Sequence, residues 1–195
     1  MQHWMQQAVI GLNLCPFAKA VHVRGQIHYV VSRATDADQL EAELRQELQA
    51  LVQADPVVRD TTLMMSPDCL TAFLDFNDFL DRADQCLETL ELDGVLQIAS
   101  FHPQFQFAGT RHNDIGNFTN RAPYPTLHLL REASVDKAVA AFAQAEAIFD
   151  HNIDTMRQLG HAGWEQLGVR RNAAGTSPPN DHPGKGGKRR GTIGR

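Results

Sequence analysis

Three short runs rich in β-branched and aromatic residues alternate with two long stripes at helical spacing, and this order constrains the fold more than any other feature. Ile27 to Ser32 reads as a strand. Thr35 and Asp38 then form a capping-box pattern ahead of Leu40, Leu44, Leu48, Leu51 and Val52, which share one helix face, and that helix stops near Pro56. Thr61 to Met65 is a second strand. Ser66-Pro67-Asp68 supplies an N-cap with proline at the first helical position, and Phe73, Phe76, Leu80, Ala83, Leu87 and Leu90 mark the helix that follows. Gly94 separates it from a third strand, Val95 to Phe101. Strand-helix-strand succession makes these strands parallel, joined by right-handed crossovers.

The remaining elements fit around that core. Trp4, Met5, Ala8, Val9 and Leu12 recur at helical spacing, and Pro16 ends this first helix. Thr126 to Glu132 is a fourth strand, Ser134 caps a short helix through Phe142, and Phe149, Ile153 and Met156 mark a last helix ending near Gly160, with Trp164 and Leu167 docking a final turn. The expected fold is α/β: one domain over residues 1–169, with a three- to four-stranded mixed sheet of β-α-β-α-β-β order packed with helices. A chain of 195 residues can bury such a core without disulfides or metals.

Residues 170–195 differ in kind. They hold seven Lys or Arg against one Asp, leaving eleven bases against twenty-two acids in the body. With almost no apolar side chains this tail cannot bury a core and reads as disordered. Its glycines do not make a phosphate loop, because no strand precedes them and no helix follows. An acidic body does not favour nucleic acid, whose affinity comes from phosphate neutralisation, so any such contact is expected through the basic tail alone.

Three cysteines, Cys15, Cys69 and Cys86, show no C-x-x-C spacing. They imply neither a disulfide framework nor a zinc knuckle, and a reducing, cytoplasmic setting fits them. The apolar run Val9 to Ala18 is too short to span a membrane, follows Gln and His rather than Lys or Arg, and contains Asn13 and Pro16. A signal peptide is not expected, and Leu14 before Cys15 does not suit a lipidation site.

Chemistry is expected where the periodicity stops. In open α/β sheets ligands bind beyond the carboxyl ends of the strands, which selects Ser32-Arg33, Ser66-Pro67-Asp68 and His102-Pro103. From residue 103 to 125 there is no usable period, yet Phe105, Phe107, Phe118 and Tyr124 favour a packed, site-forming loop over a disordered one. With the fourth strand antiparallel beside the third, Tyr124 and His128 approach His102 on one rim. Either histidine then serves as a general acid or base, or both as metal ligands with Cys15 or an Asp. Cys15 precedes Pro16 and has Lys19 four residues on, a cation that would favour thiolate. Arg121, between Asn120 and two prolines, presents a rigid fork for a carboxylate or phosphate. Asp78 and Asp81 lie at i, i+3 on a helix face best read as solvated. The familiar zincin, nucleophile-elbow and dinucleotide signatures are absent, and no motif names a cofactor or an oligomeric state.

Three longer segments carry a likeness. Gly11-Leu12-Asn13-Leu14-Cys15-Pro16-Phe17-Ala18-Lys19, then Gln97 through Pro103 with Phe105-Gln106-Phe107-Ala108-Gly109, and Asn117 through Pro125, resemble those of DUF1415, a bacterial family of unknown function. The resemblance runs over roughly residues 3 to 160 and leaves out the basic tail. It implies no activity, cofactor or catalytic residue.

Two kinds of function follow from the residues. One is an enzyme, a thiol- or His-dependent hydrolase or transferase, acting on a small anionic molecule. Here Cys15 or His102 carries the chemistry, Arg121 anchors the anion, and Asn13, Lys19, Asn120 and Tyr124 help to bind it. The other is a non-catalytic ligand-binding or protein-interaction domain built on the aromatic residues of the long loop.

Overall fold

The computed structural model describes residues 1–141 and 147–169. The basic tail from residue 170 and the helix end expected at Phe142 lie outside the described residues. Four strands form one mixed sheet in the order β1-β2-β4-β3: β1 (Ile27–Val31), β2 (Thr61–Met65), β3 (Leu96–Phe101) and β4 (Thr126–Arg131). β1 and β2 pair in parallel, and β4 runs antiparallel between β2 and β3.

Side chains alternate between the two faces of a strand, so each strand feeds two cores. On one face Met64, Leu96, Leu127 and Leu129 meet α3 (Ala37–Gln53) and α4 (Phe73–Thr89). Leu40, Leu44, Leu48 and Leu51 of α3 are fully buried there, as their spacing requires, while Val52 stays partly exposed. The other face presents Ile27, Tyr29, Leu63 and Phe101 to a second layer. That layer holds α1 (Gln2–Trp4), the π-helical turn Met5–Ile10 that continues it, the 3-10 helix Ile115–Asn120 and α6 (Ile148–Gln166). α2 (Ala18–Val23) and α5 (Glu132–Ala140) complete the chain.

Four local expectations change. The cap of α3 is Asp36, whose carboxylate accepts from the Gln39 N–H at 2.9 Å while Gln39 Oε1 accepts from the Thr35 N–H at 3.3 Å, a capping box one residue from the expected one. Ser66-Pro67-Asp68 caps no helix. β2 pairing continues through the Ser66 N–H to Pro125, Leu70 takes a left-handed backbone (φ 54), and α4 begins only at Phe73. Ser134 does not cap α5; its hydroxyl donates to Asp60 at 2.6 Å. Gly160, expected to end the last helix, instead kinks α6 with φ 65 and ψ 175, a conformation open to glycine alone, and the chain runs on to pack Trp164.

Candidate functional site

His102 lies at the carboxyl end of β3, where the alternation turns its ring toward α4, between Phe73 and Phe76 at 5.5 and 5.2 Å. It has no exposed surface. Its Nε2–H donates to the Leu70 carbonyl at 3.2 Å, and its Nδ1 accepts from the Gln104 N–H at 3.0 Å. Both nitrogens are therefore spent on main chain, and the tautomer follows from the partners. Burial pushes the pKa from 6.5 down to about 4, against the hydrogen bonds the ring makes to the Leu70 and Thr71 backbone. This ring fastens the left-handed Leu70 turn to the start of the long loop.

His128 faces the other way. It pairs with Leu63 on β2 and Ala99 on β3, so it shares the face of Phe101 and not that of His102. Its Nε2 lies 2.7 Å from the Thr61 hydroxyl, and burial lowers its pKa to about 4 as well. The expected rim of two histidines is thus corrected. The strand pairing is as anticipated, but one residue of difference in register sends the rings through opposite faces. Among the described residues no group of three His, Cys, Asp or Glu is placed to hold a metal.

Cys15 belongs to the second core, with Leu14 and Ala18. Burial pushes its thiol up, opposed by the backbone N–H groups of Phe17 and Ala18. The expected thiolate is corrected on this point, because desolvation outweighs every stabiliser of the anion and Lys19 is not among them. Cys15 and His102 pack on opposite faces of the sheet, so they do not form a nucleophile-base pair. Lys19 is exposed, as is Asn13, which turns the chain at φ 54.

Arg121 is buried, its guanidinium 4.1 Å above the Phe118 ring. Nε donates to the Phe105 carbonyl at 3.2 Å and a terminal nitrogen to His112 at 2.6 Å. Its own carbonyl accepts from the Trp4 indole at 2.9 Å. The fork expected to hold an anion thus ties the long loop to itself. Asn120 does similar work, accepting from the His102 N–H at 3.2 Å. Asn117, fully buried, completes the loop's interior by accepting from the Phe107 N–H and the Thr110 hydroxyl, both at 2.9 Å. A loop with this many satisfied polar groups is a packed unit, and of its expected site residues only Tyr124 faces the cleft described next.

A cleft of about 650 Å³ opens at the carboxyl ends of the two parallel strands. Val31 and Met65, the last residues of β1 and β2, form its base, and Pro67, Asp68 and Tyr124 rise from the following turn and the approach to β4. Met1, Gln2 and His3 close the opposite side. His3 is held by a 2.9 Å bond from its Nε2 to the Leu167 carbonyl, which ties the first residues to the end of α6. The volume lies within the range of small-molecule sites, and the position obeys the strand-end rule.

Tyr29 also lines this cleft, from the middle of β1. Its hydroxyl is buried and makes no hydrogen bond among the described residues, and burial raises its pKa, which keeps the proton on the oxygen. Buried hydroxyls nearly always have a partner, and leaving one without costs on the order of 1–3 kcal/mol. Sequence reasoning passed over Tyr29 because a tyrosine inside a strand is ordinary β-forming material. The signal was the strand-end rule applied one step deeper, to the residue two positions before the strand's last and on the same face.

The family described as "Protein of unknown function (DUF1415)" matches residues 1–166. No curated protein and no solved structure matches the chain.

Proposed function

The chain belongs to the DUF1415 family, and from that premise we propose that it is a small-molecule-binding domain whose ligand enters the cleft beyond β1 and β2. The observation that carries the reading is the Tyr29 hydroxyl, a buried donor and acceptor without a partner among the described residues, on the wall of a ligand-sized cleft. A ligand's polar group would complete it, while Val31, Met65 and Pro67 would cover an apolar body. The hydroxyl has no exposed surface of its own, so the ligand engages it as neighbouring side chains of the lining shift.

Binding is favoured over catalysis because the groups expected to react are occupied or silenced. His102 is bonded at both nitrogens, His128 is held neutral against Thr61, and Cys15 is held as the thiol. The free cysteines support a cytoplasmic setting. Among the described residues no helix is long and apolar enough to cross a membrane.

The test is an NMR fragment screen of the full chain with backbone and methyl signals assigned. Shifts concentrated on Tyr29, Val31, Met65 and Tyr124 are expected. Hits confined to Phe105 and Phe107 of the long loop and Phe149 of α6 would favour a protein-docking surface and overturn the cleft.

A further inference from the structure

We infer that the ligand of this cleft carries a protonated amine on an apolar, ring-sized body, with the amine seated toward Asp68 and the body between Tyr29 and Tyr124. This deepens the binding reading above and rests on it. Among the described residues that line the cleft, Asp68 is the one carboxylate and there is no lysine or arginine. It stands exposed at the mouth, in the turn after β2, where its charge keeps its hydration until a ligand arrives. The base is apolar, from Val31 and Met65, and two of the wall residues are tyrosines, whose ring faces attract cations as well as apolar surface.

His3 directs its Nε2 to the Leu167 carbonyl. The anion anchor that the sequence suggests, Arg121, directs its guanidinium to the Phe105 and His112 carbonyls and over Phe118, and is not part of the lining. Electrostatic complementarity therefore selects a cation over an anion, and the orphaned Tyr29 hydroxyl adds a second polar anchor for a ligand with one acceptor beyond the amine.

Three probes of matched size test this on the full chain: 2-phenylethylamine, 2-phenylethanol and 3-phenylpropionate, titrated at low ionic strength and followed by the methyl signals of Val31 and Met65. The amine is expected to bind at least about fivefold more tightly than the carboxylate, and added salt to shrink the gap. Asp68→Asn should abolish that preference while leaving 2-phenylethanol binding within about twofold, which also shows that the variant is folded. Equal or tighter binding of the carboxylate, or a preference that survives Asp68→Asn, overturns the amine while leaving the cleft as a binding site. Absence of any response from Val31 and Met65 to all three overturns the cleft and the amine together.

Discussion

The imidazole of His128 and the hydroxyl of Thr61 meet at 2.7 Å across β2 and β4, and the single proton of that hydroxyl is already given to the Leu129 carbonyl at 2.6 Å. The ring must therefore donate through Nε2–H, which fixes a neutral tautomer in the middle of the sheet. Thr61→Val keeps the shape and strands the ring's proton. A loss of about 1–3 kcal/mol is expected from urea denaturation, and a change below about 0.5 kcal/mol would contradict the relay.

His102 and His128 together set a pH dependence. Both fold with pKa values near 4, below the ordinary 6.5. As pH falls through 6.5 the unfolded chain takes up protons first and the native state does not follow until about 4. Their stabilising contribution is therefore full above about pH 6.5 and is lost progressively between 6.5 and 4, by up to about 3 kcal/mol for each ring. Denaturation midpoints across this range check the sign, and ring 15N shifts check that both remain Nε2–H at pH 5.5.

Cys15 should be a slow thiol. Burial holds it protonated, so iodoacetamide labelling in Cys69→Ala/Cys86→Ala protein is expected to be negligible at pH 7 and to rise only with urea-induced unfolding. Rapid labelling of the folded protein near neutral pH would restore it as a reactive candidate.

Much of this fold is legible because its signals are redundant. The α3 leucines, the α4 aromatics and the β-branched runs each state their element twice, by period and by composition. The site is less legible, because it depends on which face a side chain takes. His102 and His128 look like neighbours along the strands, and only the pairing Ala99 with His128 shows that they part. Arg121 looks like an anion fork because sequence cannot display the carbonyls of Phe105 and His112 waiting for it. The strand-end rule selected Ser32-Arg33, Ser66-Pro67-Asp68 and His102-Pro103, and of these only Pro67 and Asp68 line the cleft, because topology places the strand ends but not the side chains that follow them.

Arg131 illustrates a role that no motif announces. It ends β4 and donates to the Leu51 and Ala54 carbonyls, satisfying the carboxyl end of α3 and its dipole. Arg131→Met should cost about 1–2 kcal/mol by thermal or urea denaturation and leave fragment binding in the cleft unchanged. A neutral result would remove this cap from the account.

The central claim is that the Tyr29 hydroxyl has no partner among the described residues and awaits one from a ligand, and the stability of Tyr29→Phe in the ligand-free full chain tests it most directly. Removing a satisfied buried hydroxyl costs roughly 1 kcal/mol or more, whereas removing an orphan is neutral or stabilising. The account predicts urea stability equal to or above that of the parent protein. A loss greater than about 1 kcal/mol would show that the hydroxyl is already satisfied within the fold and would contradict the claim.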